Sequence, residues 1–307
     1  MNEKQVVLLG VGAVGGALLC RKPENTEHIF VMVSGERKER MKRDGIFFND
    51  RQYFPQIWQQ TTAPDYLLIA VKNPQLEEAI IQIKEMIGAQ TVLVPLMNGI
   101  SAAEILRERF PQNPVVTAAV YVDAQKRGNR ITCTGSYVVE IGDAEPFVLA
   151  ETAALLESFG ISGRICEDMR RKQWKKWMVN IGSNQVSAIL RATYGEISRT
   201  PEAKALILAA MEEVVAVAQA AGVRLYQEDA VHTVERIPTW GEYGKSSMLQ
   251  DVEAERKTEV EVFSGTLMEI AARYGVQTPV NQTLYWLLRA TEMLYLQKQH
   301  CNQYADK

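Results

Sequence analysis

Five short apolar runs punctuate the first half of the chain: 6–9 (VVLL), 29–33 (IFVMV), 67–71 (LLIAV), 92–96 (VLVPL) and 115–120 (VVTAAV). Runs this short, with no polar alternation, suit strands buried on both faces of a parallel sheet. Polar, helix-compatible stretches at 36–44, 75–87 and 102–109 separate them. Strand–helix–strand repetition builds βαβ units, so residues 1–167 are expected to form an α/β domain with a Rossmann-type, doubly wound sheet. Beyond about residue 128 come β-rich pieces at 130–134 and 137–141, then a helix near 147–159. From about Glu167 the periodicity becomes that of amphipathic helix, over 171–190, 201–221, 249–274 and 283–297. A boundary at 166–168 follows, with an all-helical C-terminal domain over 168–307.

The length of 307 residues agrees with two domains at about 150 residues each. Lys and Arg total 34 against 37 for Asp and Glu, a net charge of −3. That balance argues against a nucleic-acid partner, which selects for a basic face. No apolar segment reaches the roughly 20 residues that span a bilayer. The run at 6–19 follows Glu3 and contains four glycines, so it is expected to be a strand and turn rather than a secretory signal. Cys20, Cys133, Cys166 and Cys301 are scattered, with no C-x-x-C. A reducing, cytoplasmic compartment is expected, and a structural zinc site or other metal is not.

Gly10-Val11-Gly12-Ala13-Val14-Gly15 is a G-x-G-x-x-G placed directly after the first strand and opening a helix, the context a dinucleotide fingerprint needs. Gly10 permits the tight turn, Gly12 lets backbone amides approach a pyrophosphate, and Gly15 allows close helix–strand packing. The anion would sit on the amides that open the helix, at Ala13 and Val14. An NAD site wants an acid at the end of the second strand. Here Ser34 and Gly35 follow Val33, and Arg37, Lys38 and Arg40 surround Glu36. A hydroxyl with cations suits a 2′-phosphate, so the expected cofactor is NADPH. The same charges also fit a merely solvated first turn.

Hydride reduction of a carbonyl needs a proton donor beside the forming alkoxide. His28, His232 and His300 precede a strand, sit in a polar loop and lie in the tail. A lysine can serve, because burial lowers the pKa of an ammonium toward the working pH. Lys176, Asn180 and Asn184 fall at i, i+4 and i+8 among Trp177, Met178, Val179 and Ile181, on one helical face. They are either a satisfied buried network or the wall of a polar site. Lys175 is expected to be solvated. Ser247 with Gln250 fits a capping box, and a helix N-terminus also receives carboxylates. Glu259, in a run with Glu253, Glu255 and Glu261, has the pattern of a surface acid.

Together these pieces resemble the ketopantoate reductase (2-dehydropantoate 2-reductase) family. The resemblance runs over nearly the whole chain: GVGAVGG at 10–16, AVKNPQ at 70–75, MNGI at 97–100, WKKWMVNIGSNQVSA at 174–188 and SSMLQDVEAERKTEVEVFSG at 246–265. It implies a C-terminal domain like that of 6-phosphogluconate dehydrogenase, and NADPH-dependent reduction of 2-dehydropantoate to pantoate. It also implies Lys176 as general acid, Glu259 against the substrate hydroxyl and cofactor, Ser247 on the substrate carboxylate, and Asn180 and Asn184 in the pocket. Lys72 and Asn98, after two strands, would approach cofactor and substrate, and a homodimer is implied. Three departures stand out. Ser34 occupies a place where the family often has Arg, and Gly244 one where its best-known members carry a substrate-contacting Asn. Ser247 and Glu259 would also lie about 18 Å apart on one straight helix. A D-2-hydroxy acid dehydrogenase of the mandelate type and a non-catalytic dinucleotide sensor are the alternatives.

Overall fold

The computed structural model describes residues 4–21, 28–59 and 62–305, with side chains through residue 297, so the side chains of His300 and Cys301 lie outside the described residues. The chain divides into two compact units, Met1–Lys172 and Gln173–Lys307. In chain order the first unit contains β1 (Val6–Leu9), α1 (Ala13–Arg21), β2 (Ile29–Met32), α2 (Gly35–Asp44), β3 (Ile46–Phe48), β4 (Arg51–Tyr53) and β5 (Gln56–Ile57). It continues with β6 (Tyr66–Ile69), α3 (Leu76–Ile83), β7 (Val92–Pro95), α4 (Ala102–Arg109), β8 (Thr117–Arg127), β9 (Arg130–Gly142), α5 (Pro146–Ser158) and β10 (Ser162–Ile165).

Five strands form a parallel sheet in the order β5-β2-β1-β6-β7. Every residue of β1, β6 and β7 is buried, which is why their sequences show no polar alternation. The pleat sends successive residues to opposite faces. Val6, Leu8, Leu68 and Val94 join one core, and Val7, Leu9, Leu67 and Leu93 the other. The strand order reverses between β1 and β6, the switch point where ligands bind such sheets.

The apolar run at 115–120 is not a full parallel strand, contrary to its pattern. Only Val115 bridges Leu93 in parallel, after which the chain enters β8 and pairs antiparallel with β9. Local hairpin pairing takes over where the parallel edge has room for one residue. The other sheet edge is instead completed by β5, whose two residues are too short to read as a strand. The pieces at 130–134 and 137–141 are one strand. Val122 pairs with Tyr137 and Asp123 with Thr134, so Gly135 and Ser136 bulge out, and Gly135 takes φ +72°.

α6 (Met169–Val179) crosses the division, and the second unit continues with a π turn at Asn180–Asn184, α7 (Gln185–Leu190), α8 (Tyr194–Ser198), α9 (Pro201–Ala220) and α10 (Gln227–Arg236). α11 (Ser247–Glu253), a second π turn at Glu261–Gly265, α12 (Thr266–Tyr274) and α13 (Pro279–Ala305) complete it. The amphipathic stretch at 249–274 is therefore not one helix. α11 stops at Glu253, and Glu255 adopts a left-handed φ of +49°. Thr258 then turns its backbone N–H and its hydroxyl onto Glu292 Oε1, at 2.7 and 2.6 Å. A donor committed to a carboxylate on α13 cannot join a helical ladder.

Both π turns are tied into one buried polar network. Gln185 donates to the Ile181 carbonyl at 2.8 Å and to Asn281 Oδ1 at 3.3 Å. The Ser264 hydroxyl bonds Gln185 Oε1 at 2.8 Å and Asn281 Oδ1 at 3.1 Å. Asn281 in turn donates to the Ala210 carbonyl and to Glu213, at 3.0 and 2.8 Å. Glu213 also accepts the backbone N–H groups of Val280 and Asn281 at 2.8 and 2.9 Å, a carboxylate well placed at the start of α13. Asn281 has no exposed surface. Asn281→Ala would remove four buried hydrogen bonds, each worth about 0.5–1.5 kcal/mol. A marked loss of stability is expected in denaturant unfolding, and an unchanged midpoint would contradict this network.

Candidate active site

Because the five strands run one way, the loops after β1, β2, β6 and β7 share the carboxyl edge of the first unit's sheet. Gly10 sits there at φ +100°, and a Cβ on it would lie 2.5 Å from the Ala70 carbonyl oxygen at the end of β6. A Cβ on Gly15 would strike the Gly10 carbonyl. Both glycines are thus required by the turn itself. Gly12 is different, since its Cβ would find nothing nearer than Ala70 O at 3.9 Å. Packing within the chain leaves that space open, as close approach of a dinucleotide to the backbone needs. Ala13 and Val14 begin α1, whose first turn carries no acid.

Ser34 occupies the N-cap position of α2, but its hydroxyl makes no capping bond. Arg37 is exposed one turn on. Lys72 is exposed after β6, and Asn73 Nδ2 donates to the Asn98 carbonyl at 3.0 Å. That bond joins the loops carrying Lys72 and Asn98. Sequence reasoning missed Lys126, on β8, whose ammonium donates to the Val11 carbonyl inside the glycine loop. Nothing in its local pattern marks it, because the contact spans more than a hundred residues.

In the second unit Lys176 is half-buried near the end of α6. Trp174 and Trp177 beside it are buried and meet edge to face at 5.2 Å between ring centroids. The Trp177 indole N–H donates to the Val262 carbonyl at 2.9 Å. α6 is thereby fastened to the π turn that follows Glu259. Asn184 donates to Asn180 Oδ1 at 3.4 Å and accepts from the Ser183 hydroxyl at 3.2 Å. The two carboxamides therefore do meet, even though a π turn replaces the regular helix, and such turns recur at functional sites.

Glu259 is half-buried between buried Thr258 and Val260, unlike exposed Glu253 and Glu255. The run of acids is thus not one surface face. The Glu259 carbonyl accepts from Val262 and Phe263 at 3.0 and 3.2 Å, which ties this acid to the π turn that follows it. Ser247 is not the cap of α11. Ser246 is, its buried hydroxyl accepting the Leu249 N–H at 3.0 Å, while Ser247 is exposed in the first turn. With α11 ending at Glu253, the straight-helix separation of Ser247 from Glu259 no longer applies.

Lys175 is not merely solvated, since its ammonium pairs at 2.7 Å with the buried carboxylate of Asp229. A Cβ on Gly244 would lie 2.6 Å from the Trp240 carbonyl and 2.9 Å from the Tyr194 ring, leaving no room for a longer side chain. Tyr243 is 87% exposed. Among the described residues, no group of three or more His, Cys, Asp or Glu is placed to hold a metal ion.

The carboxyl-edge loops and the glycine turn define a domain of the Rossmann, dinucleotide-binding class. The chain belongs to the ketopantoate reductase family: the profile "Ketopantoate reductase PanE/ApbA" matches residues 6–146 and "Ketopantoate reductase PanE/ApbA C terminal" matches 168–292. A 2-dehydropantoate 2-reductase of Pyrobaculum aerophilum is 32% identical over 231 residues, 75% of this chain and 77% of its own. One from Aquifex aeolicus is 27% identical over 305 residues, covering 94% of this chain and 97% of its own. A D-mandelate dehydrogenase solved with NADH and anilino(oxo)acetate shares the fold, with a TM-score of 0.87, 21% identity and coverage of 95% of this chain and 99% of that one.

The anchoring of Glu259 can be tested without substrate. Thr258→Val keeps the side-chain shape but removes the hydroxyl donor to Glu292, a bond to a charged group worth about 1.5–3 kcal/mol. A lower melting temperature is expected, and a melt superimposable on the parent's would show that Glu292 does not hold this segment.

Proposed function

We propose that the chain reduces a 2-oxo acid to the 2-hydroxy acid with NADPH, and that 2-dehydropantoate, giving pantoate for pantothenate formation, is its first candidate substrate. The observation that carries this most is the second unit's polar face: Lys176, Asn180 and Asn184 on one stretch, with Glu259 on a segment fastened to α6 through Trp177. The full-length relatives named 2-dehydropantoate 2-reductase support the substrate. A non-catalytic sensor would need neither Lys176 nor a positioned Glu259.

Gly10, Gly12, Gly15 and the amides at Ala13 and Val14 would hold the pyrophosphate, and Ser34 and Arg37 the 2′-phosphate. Lys72 and Asn98 would lie toward the nicotinamide end, and Glu259 would also meet the cofactor. When bound, a reduced nicotinamide supplies a hydride to the substrate carbon. The chain's own part is to orient the acid and deliver a proton. Lys176 Nζ donates that proton to the forming alkoxide, and Asn180 and Asn184 fix the carbonyl by hydrogen bonds. Glu259 accepts from the substrate hydroxyl, and Ser247 donates to the carboxylate. Positioned proton donors of this kind contribute about 10²–10⁴ in rate.

Gly244 favours a second candidate within the same chemistry. The side chain that best-known members direct at substrate is missing, and Tyr194 and Trp240 close the space a replacement would need. An aromatic 2-oxo acid, as for a mandelate-type dehydrogenase, is therefore the second substrate to test. A homodimer is supported by the outer face of α13, where Trp286, Leu287, Met293 and Leu294 are exposed. The free thiols of Cys20, Cys133 and Cys166 suit a reducing compartment such as the cytoplasm, and no helix among the described residues is long and apolar enough to cross a membrane.

A panel of 2-oxo acids assayed with NADPH by nicotinamide absorbance tests the substrate. The highest kcat/KM is expected on 2-dehydropantoate, and a clear preference for phenylglyoxylate would move the assignment to the mandelate type. In the same assay Lys176→Ala should lower kcat by about 10²–10⁴. Lys175→Ala should keep kcat but melt at lower temperature, because it leaves the buried Asp229 without its cation. An inactive Lys175 variant beside an active Lys176 variant would refute the proton assignment.

A further inference from the structure

Lys126 is half-buried on β8, opposite Ile131 and far in sequence from the glycine loop. Its ammonium nevertheless donates to the carbonyl of Val11, the residue between the first two glycines of the fingerprint. Burial first, then the guanidinium charges of Arg37 and Arg40, hold the Lys126 pKa below the ordinary lysine value. Arg37 and Arg40 stand one turn apart on α2, directly after Ser34. Two cations in the first turns of α2, just after β2, thus act on a third from the β8–β9 hairpin, whose ammonium is held at the loop after β1.

Like charges brought together, one of them partly desolvated, raise the free energy of the folded chain. A dianion between them removes that penalty. The pyrophosphate does not need these side chains, since glycine-loop amides and the start of α1 can receive it. The end of β2 is instead where such folds read the adenosine ribose, and an ammonium on a long stem suits a phosphate there as a point charge.

We propose that Lys126 determines cofactor specificity: its ammonium, stationed over the glycine loop by the Val11 carbonyl, joins Arg37 and Arg40 around the adenosine 2′-phosphate. This rests on the NADPH assignment above and adds to it Lys126, a side chain that the sequence did not single out.

The test measures equilibrium binding to the purified full chain, with no substrate present. NADPH, NADH, adenosine 2′,5′-bisphosphate and 5′-AMP are the probes, against the parent, Lys126→Met and Lys126→Arg. Lys126→Met should weaken NADPH and the bisphosphate by about tenfold to a hundredfold, the worth of one charge-assisted contact. NADH and 5′-AMP should change little, and Lys126→Arg should retain most of the parent's discrimination. Equal weakening of all four probes by Lys126→Met would make Lys126 a tie for the glycine loop and overturn the proposal. So would a parent that prefers NADPH alongside a Lys126→Met variant with the same preference, which leaves the NADPH assignment standing. A parent that binds NADH as tightly as NADPH would overturn the cofactor assignment, and the role of Lys126 with it.

Discussion

The carboxamide of Asn281 is the joint on which the helical unit depends. It is fully buried, and its oxygen and nitrogen together meet Gln185, Ser264, the Ala210 carbonyl and Glu213. Its partners lie in three elements, Ala210 and Glu213 both in α9, so one side chain on α13 ties α7, the second π turn and α9 together. Buried polar groups are costly when unpaired and specific when fully paired. The consequence reaches the candidate site through Gln185, which also takes the Ile181 carbonyl inside the first π turn. With the Ser183 hydroxyl on the Val179 carbonyl at 2.6 Å, side chains supply the partners that the wider turn frees. Asn180 and Asn184 project from that turn.

The sheet unit depends on a different constraint, close backbone approach. Gly10 is demanded by its positive φ and by the Ala70 carbonyl after β6, Gly15 by the Gly10 carbonyl, and Gly12 is the position whose missing side chain no internal contact explains. That difference separates a glycine-rich turn from a turn shaped for a ligand. Two-sided burial of β1, β6 and β7 fixes the strands beneath it, so the loops that follow them are presented from a rigid edge.

Much of this was legible because two-sided burial and the glycine spacing both leave local marks. The runs at 6–9, 67–71 and 92–96 and the fingerprint at 10–15 needed no partner to be read. Asn180 and Asn184 were expected on one face and do meet, though across a π turn that the period did not show. What failed were features decided by distant residues. The stretch at 249–274 has helical periodicity throughout, but Glu292, more than thirty residues on, draws Thr258 out of the helix. Ser247 fits the cap spacing as well as Ser246 does, and the burial of Ser246 decided between them. Lys175 looked solvated because Asp229 lies in another helix. Lys126 carried no local sign at all. The family resemblance covered the chain without showing any of these contacts.

The central claim is that this chain moves a hydride from a nicotinamide directly to the carbon of a 2-oxo acid. NADPH carrying deuterium at the transferred C4 position, incubated with the chain and the best substrate of its panel, tests it most directly by mass spectrometry of the product. One deuterium at C2 of the 2-hydroxy acid is expected. A product formed without deuterium, or label released to water, would contradict direct transfer and the assignment of this chain as a 2-oxo acid reductase.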